Sequence, residues 1–230
     1  MSDSNEFLGN VVEMTAFRGA RVRPTIGRIE AHWEFVRNKR LVPYRNEIKP
    51  SGLQGVLSHV FVIERVSTRL ARIRIAGQHL DDLMGVSVKG MPLTALFDPQ
   101  SRDQVCDCVE AIFDDPAAMR FELNSSRSFG RKALRGDMVL LPLRSDLGDI
   151  SRALGGVIMD GDIGRAPRKF EIVTHAHRGL TGIAGDPLPE ANPKLPGQLI
   201  QPVVRRNSSP QSSNGHLKLV HDAGSAALEK

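Results

Sequence analysis

Residues 59–97, HVFVIERVSTRLARIRIAGQHLDDLMGVSVKGMPLTALF, determine the fold that this sequence predicts. The β-branched and aromatic run at residues 60–63 favours a buried strand, and the Ser-Thr pair that follows supplies turn chemistry. Residues 69–76 then alternate apolar side chains with arginines. Because successive side chains of a strand point to opposite faces, this segment predicts a second strand with one apolar and one wet face.

A short helix and two breaks follow the strands. Residues 78–84 predict one or two helical turns, and Gly85 is a suitable cap because glycine tolerates the left-handed conformation. Gly90 and Pro92 then interrupt the chain before an apolar cluster that ends at Phe97. Two strands followed by short, broken helices therefore form the first half of the predicted domain.

A helix is predicted upstream, from about Thr25 to Arg37 or Asn38. Its apolar residues fall at helical spacing and make one stripe: Ile26, Ile29, Trp33 and Val36. Such a stripe either packs on the domain's own sheet or forms a dimer or partner interface. The sequence leaves both interpretations open. In the second, Trp33 is the central residue of the interface.

Downstream, residues 99–114 predict a longer helix whose apolar face covers the sheet. Three more strands are predicted at residues 119–124, 138–144 and 153–159. Pro142 indicates a sheet edge, a bulge or the end of its strand, because proline cannot donate to a ladder. The result is an α+β domain with one antiparallel sheet that has a wet side.

The composition changes at about residue 164, after which seven of the fourteen prolines occur. Residues 164–230 carry nine Lys/Arg and five Asp/Glu, so this segment contributes +4 of the net charge of +5. We expect an N-terminal extension at 1–24, a folded domain at 25–163 and a Pro-rich, mostly disordered basic tail at 164–230. A short helix at 168–178 is a further expectation within the tail.

The order of elements and a set of dispersed residues resemble the PAS_5 family, an alphaproteobacterial family of PAS domains. The resemblance covers residues 25–162 and lies in Trp33, Arg37, Pro43, Arg45, Ile48, Pro50, Arg74, Ala76, Gly77, Gly85, Gly90, Leu141, Pro142, Leu143, Leu154 and Gly155. It implies a five-stranded PAS-like sheet in the order 2-1-5-4-3 with flanking helices. Ile73 and Gln78 depart from the family pattern, which has an aromatic and a small hydroxyl residue there.

The sequence contains none of the recognised catalytic motifs, so we do not expect an enzyme or a catalytic residue. Cys106 and Cys108 are the two cysteines; their spacing in a helix disfavours a mutual disulfide and they cannot complete a metal site. No signal peptide and no run of about 18 apolar residues is present, which predicts a cytoplasmic protein without a membrane span.

No cofactor is evident from the sequence. His59 and His79 are either haem or metal ligands or else surface or hydrogen-bonded histidines, and His175 and His177 are expected to be solvated in the tail. A cysteine thiolate could ligate haem iron, although core filling is the simpler role for Cys106 and Cys108. The long helix before the third strand, from which haem-binding PAS domains often take their ligand, has no histidine, and the Asn-Cys-Arg motif of light-sensing PAS domains is absent, so neither haem nor flavin is supported.

The remaining candidate site is a small pocket between sheet and helices for an apolar or weakly polar ligand. Its expected lining, which could equally be plain core, is Ile75, Leu80, Leu83, Met84, Leu96, Phe97 and Val109.

The sequence as a whole predicts a sensory or regulatory module that acts by protein–protein interaction and is gated by a small ligand. Expected partners are a second copy, another PAS domain or a histidine kinase. The alternative is a nucleic-acid-associated regulator that uses basic residues at 127, 131, 132, 135, 205 and 206. That alternative is weaker, because no aromatic residues interleave with the basic ones.

Overall fold

The structure, a computed structural model, describes residues 23–125 and 132–182 and the backbone of residues 11–12. Within these residues there are three α-helices: α1 (Pro24–Arg37), α2 (Gln78–Met84) and α3 (Arg102–Asp114). The strands are β1 (Val11–Val12), β2 (Val60–Ser67), β3 (Leu70–Ala76), β4 (Ala117–Ser125), β5 (Leu134–Arg144), β6 (Ile150–Asp160) and β7 (Glu171–Gly179).

All seven strands belong to one sheet in the spatial order β1-β7-β4-β5-β6-β2-β3. The strands β2 to β6 are antiparallel neighbours and reproduce the predicted 2-1-5-4-3 order, counted within the five-stranded set. The α+β class, the antiparallel sheet and the flanking helices are therefore confirmed. Gly85 also caps α2 as predicted, with a φ of 71° in the left-handed region.

The sheet is wider than predicted because β7 pairs antiparallel with β4, and β1 lies parallel to β7. The expected helix at 168–178 is wrong, since those residues include most of β7. The sheet thus continues past the predicted domain boundary at residue 163. The rest of the predicted tail, residues 183–230, and nearly all of the predicted extension at 1–24 lie outside the described residues.

The inner face of the sheet, defined as the face covered by α2 and α3, carries the larger apolar core. Phe61, Ile73 and Phe121 from the strands pack there with Leu83 of α2 and Ile112 of α3. The apolar face predicted for α3 is the one that is buried, at Val105, Cys108, Val109, Ile112 and Phe113. Three layers result, since α1 covers part of the opposite face.

The outer face of the sheet, defined as the face on which α1 lies, is the one expected to be wet. Instead, its centre is a second core in which α1 packs on Val62, Val139 and Leu154. Three residues of the α1 stripe are at most 2% exposed, namely Ile26, Ile29 and Trp33, while Val36 is half-buried. The stripe thus packs on the chain's own sheet, and these three side chains are not the exposed dimer contact proposed from the sequence.

Polar contacts hold α1 in place beside this second core. The Trp33 indole Nε1 donates to the Pro142 carbonyl at 3.0 Å. The Arg120 guanidinium on β4 pairs with Glu30 on α1 through two nitrogens, a fork geometry that fixes orientation as well as distance. Helix α1 is therefore an integral layer of the domain.

Two consecutive glycines in β6 permit both faces to be covered. A Cβ atom at Gly155 would lie 2.2 Å from the ring of Phe61, its cross-strand partner on β2. A Cβ atom at Gly156 would lie 2.5 Å from Cδ1 of Ile29 on α1. Real Cβ contacts are longer than this, so glycine is required at Gly155 for the aromatic ring to lie flat on the strand.

A β-bulge in β3 explains why one predicted core residue lies elsewhere. Val62 pairs with Ile75 and the next residue, Ile63, pairs with Ile73, so Arg74 is the extra residue. A bulge shifts the following side chains to the other face. Ile73 is consequently buried in the inner core, whereas Ile75 is 44% exposed on the outer face.

Pro142 lies at the point where β5 loses a neighbour, as the sequence indicated. The β4–β5 pairing ends at Met119 and Leu140, and Pro142 pairs only with Ala153 of β6. The missing N–H therefore breaks no ladder bond.

We expect Trp33→Phe to lower the free energy of unfolding by about 1–3 kcal/mol, because the Pro142 carbonyl loses its donor in a buried site. Urea denaturation checks this. The matched control is Phe35→Ala on the same helix, which removes an aromatic side chain that is 81% exposed and should change stability by less than about 0.5 kcal/mol. Equal effects of the two substitutions would contradict the packing described for α1.

We also expect Gly155→Ala to destabilise the domain by about 1–3 kcal/mol, because the added methyl overlaps the Phe61 ring. Gly179→Ala is the control, since no heavy atom lies within 4 Å of a Cβ built there. Thermal unfolding of the two variants side by side distinguishes overpacking from a general loss of glycine flexibility. A stable Gly155→Ala protein would show that Phe61 is free to move.

Candidate functional site

The residues predicted to line a ligand pocket divide into two groups. Six are at most 5% exposed within the inner core: Leu80, Leu83, Met84, Leu96, Phe97 and Val109. The seventh, Ile75, lies on the outer face because of the bulge in β3. The six are brought together as one packed cluster, and the ligand pocket predicted at that position stays a prediction.

A cleft of about 390 Å³ lies at one end of the sheet, between α3 and the strands β4 and β7. We call it the α3–β7 cleft; its lining is Gln104, Asp107, Cys108, Ala111, Asp115, Ala117, Met119, His175, His177 and Gly179. This volume is within the range of small-molecule sites. The cleft combines small apolar side chains with several polar groups, which is the usual character of a ligand site.

His175 is the best-positioned polar side chain of the cleft. It is only 9% exposed, its ring stacks on Phe121 with centroids 6.0 Å apart, and its Nδ1 lies 3.0 Å from Nε2 of Gln104. Burial lowers the pKa of His175, and the neighbouring His177 lowers it further. The imidazole is thus held neutral and in a fixed orientation. It can donate or accept a hydrogen bond with a ligand while carrying no charge itself.

Cys108 also lines the cleft, but its surroundings are those of a core residue. Burial raises the pKa of its thiol to about 12, with a smaller contribution from the Asp107 carboxylate. A thiol with that pKa is protonated at neutral pH and is neither a nucleophile nor a good metal ligand. The structure therefore supports core filling for Cys108, and both cysteines are free thiols.

Carboxylates and an exposed imidazole surround the mouth of the cleft. Asp115 and His177 are exposed. The Asp107 carboxylate forms an ion pair with Arg69, with Oδ1 and Nη2 2.5 Å apart. Among residues 23–125 and 132–182 no group of three or more His, Cys, Asp or Glu side chains could hold a metal ion. The polar groups of the cleft can hydrogen-bond a small molecule, and its apolar side chains can contact one.

The sequence did not indicate this cleft, because His175 and His177 were predicted to be solvated residues of a tail. His177 is exposed as expected, whereas His175 is buried. The overlooked signal is the β-branched run Ile172, Val173 and Thr174, which favours a strand immediately before the histidines. That strand is what brings His175 against α3.

A second histidine pair lies at the start of α2. The rings of His59 and His79 are 4.5 Å apart, Nε2 of His79 accepts the Met159 amide at 3.2 Å, and Nδ1 of His59 is 3.2 Å from the Val157 carbonyl. Burial and, to a smaller extent, the neighbouring His59 lower the pKa of His79 to about 4, against an opposing effect of Asp82. These contacts support the hydrogen-bonded alternative for both residues.

Comparison with known proteins identifies the domain. The profile of the PAS_5 family, described as a PAS domain, matches residues 21–158, which is more than half of the chain. The chain belongs to the PAS_5 family. The match includes α1 and the strands β2 to most of β6 and ends before β7, so the α3–β7 cleft includes residues outside the family match. A PAS domain of this kind is a sensory signalling module.

Solved structures similar to this PAS domain include light-oxygen-voltage domains. One is the light state of the blue-light photoreceptor Aureochrome1 LOV, at 18% identity and a TM-score of 0.34, covering 49% of this chain and 88% of that one. Another is an RNA-binding light-oxygen-voltage receptor, at 21% identity and a TM-score of 0.34, covering 51% of this chain and 35% of that one. No significant match is found among curated proteins.

The structure describes only two of the six basic residues considered for nucleic-acid binding. Arg127, Arg131, Arg205 and Arg206 are outside the described residues, while Lys132 and Arg135 are exposed near the start of β5. Elsewhere many arginines of this PAS domain pair with carboxylates, for example Arg65 with Asp114 at 2.6 Å. No helix among the described residues is long and apolar enough to cross a membrane.

Protonation of His79 should weaken the fold. Since its pKa is depressed from 6.5 to about 4 in the folded state, the neutral form is favoured by folding. The corresponding stability is fully present above about pH 6.5 and is lost as the pH falls toward 4. In His79→Gln the side chain still offers an acceptor to the Met159 amide but does not titrate. We expect the free energy of unfolding of this variant, measured in urea, to fall less than wild type between pH 6.5 and 4.

The control for this experiment is Phe35→Ala, which changes a highly exposed side chain of α1 and removes no titrating group, so it should leave the pH profile of stability as in the wild type. Identical slopes for the wild type and His79→Gln would show that the His79 ring is not held neutral by its surroundings.

Proposed function

We propose that this PAS domain is a regulatory module that acts by protein–protein interaction and is gated by a small ligand in the α3–β7 cleft. It acts in the cytoplasm and has no catalytic activity of its own. The observation that carries the proposal is that one cleft is lined both by α3, which covers the PAS core, and by β7, the strand added beyond the family match. A ligand in this position contacts two parts of the chain at once.

The gating follows from the contacts on the two walls. Cys108 and Ala111 of α3 face Met119 of β4 and His175 of β7 across the cleft. A ligand that touches both walls stabilises the arrangement in which β7 is docked on β4 and α3 on the sheet. The population shift is limited by the difference in ligand affinity between this arrangement and any other.

The lining also restricts the ligand class. Ala111, Ala117 and Met119 provide apolar contact, and Gln104 with His175 provides a fixed pair of hydrogen-bonding groups. The exposed Asp115 carboxylate disfavours an anion, whereas the Asp107 carboxylate is already paired with Arg69. A small, uncharged, weakly polar molecule, such as a heteroaromatic compound with one or two hydrogen-bonding atoms, fits these requirements.

A partner surface is available on the outward side of α1. Phe35 is 81% exposed and belongs to the helix whose opposite side is buried on the sheet. We propose that the partner, a second copy, another PAS domain or a histidine kinase, binds here through Phe35, since Trp33 is part of the core. An exposed aromatic side chain is a frequent anchor of protein interfaces.

The cleft is tested by titrating the ¹⁵N-labelled full chain with uncharged heteroaromatic fragments and following the amide signals. We expect binding fragments to shift the signals of Ala111, His175 and Gly179. Ala111→Trp, at an exposed position of the cleft wall, should abolish these shifts by filling the cleft. Asp103→Trp, at an exposed position of α3 outside the lining, should retain them. Fragment binding that survives Ala111→Trp would contradict the proposal.

A further inference from the structure

A second cleft lies on the outer face of the sheet, beside α1, and is almost entirely apolar. We call it the outer cleft; it is about 160 Å³ in volume, and its lining includes Arg45, Leu53, Leu57, Val62, Ile75 and Leu154. It shares no residue with the α3–β7 cleft. Leu57 and Ile75 at its mouth are 43% and 44% exposed, so apolar surface faces solvent there.

The walls of the outer cleft are built by local backbone features. One wall is the connector from α1 to β2, folded into three short 3₁₀ turns at Arg45–Glu47, Pro50–Leu53 and Leu57–His59. The other wall includes Ile75, which faces this cleft because of the bulge at Arg74. Bulges commonly re-aim a side chain next to functional sites.

Arg45 is the charged member of the lining. The residue as a whole is half-buried, and its guanidinium has no hydrogen-bond or ion-pair partner among the described residues. The nearest carboxylate along the chain, Glu47, is already used, because it accepts from Arg40 at 2.9 Å and from the Tyr44 amide at 2.8 Å. An unpaired guanidinium beside an apolar cleft favours an anion with an apolar tail.

We propose that the outer cleft binds a short acyl chain whose carboxylate pairs with Arg45. The volume of 160 Å³ corresponds to about five groups of roughly 30 Å³, the share of one molecule in liquid water, which is the size of a chain of five or six carbons. The planar guanidinium matches a carboxylate through two parallel hydrogen bonds. This site is independent of the ligand proposed for the α3–β7 cleft.

Hexanoate is the probe that tests the assignment. Added to the ¹⁵N-labelled full chain at constant ionic strength, it should give saturable shifts of the Leu57 and Ile75 amides. In Arg45→Gln the affinity should fall about tenfold or more, the expected loss for a charge-assisted hydrogen bond. Hexan-1-ol has the same chain without the charge. It should bind more weakly than hexanoate and should not distinguish the variant from wild type.

A second variant, Ile75→Asp, tests the same cleft in case Arg45→Gln alters the connector. A carboxylate at the mouth should repel hexanoate and abolish binding. Val173→Asp is its control, because Val173 is a similarly exposed strand residue, at 48%, that is not part of the outer cleft. It should retain wild-type affinity.

Three results would overturn the assignment. The first is the absence of saturable shifts with hexanoate. The second is unchanged affinity in Arg45→Gln. The third is equal binding of hexanol and hexanoate to wild type. That result would make the outer cleft a binding site for an uncharged apolar group, such as a side chain of a protein partner.

Discussion

The close approach of Phe61 and Ile29 to the two faces of β6 is the constraint on which the rest of the structure depends. Successive strand residues face opposite sides of a sheet, so Gly155 opens the inner face and Gly156 the outer face at the same place. The aromatic ring then joins the inner core and α1 joins the outer core. A side chain at Gly155 would push the Phe61 ring away from β6, and one at Gly156 would displace the end of the Ile29 side chain on α1.

Much of the fold could be predicted from the sequence because its signals are local. The run at residues 60–63, the helical spacing of Ile26, Ile29 and Trp33, and the cap at Gly85 each depend on near neighbours only. Ile75 was misplaced because alternation assumes an unbroken ladder, and a bulge is a property of a strand pair. Burial of the outer face was missed for a related reason: Arg120 and Glu122 read as a wet strand face, although the neighbouring strands are covered by α1.

The site was less predictable than the fold. His175 lies in a segment whose composition, rich in proline and poor in aromatic residues, is typical of disorder. Its burial depends on pairing with β4, about 50 residues earlier in the chain, and on contact with Gln104 of α3. No local pattern encodes these contacts. Six of the seven residues predicted to line the inner pocket lie together in the inner core, because core spacing and pocket spacing are the same pattern.

The end of β5 also has a consequence for self-association. Past the last residue paired with β4, an open strand edge would normally invite another strand. Pro142 has no N–H to offer there, its carbonyl is taken by Trp33, and the Arg144 amide donates to the Pro43 carbonyl at 2.9 Å. The N–H of Pro142 is thus absent, and the carbonyl of Pro142 and the N–H of Arg144 are occupied. The same tryptophan that anchors α1 therefore helps to close this part of the β5 edge to another strand.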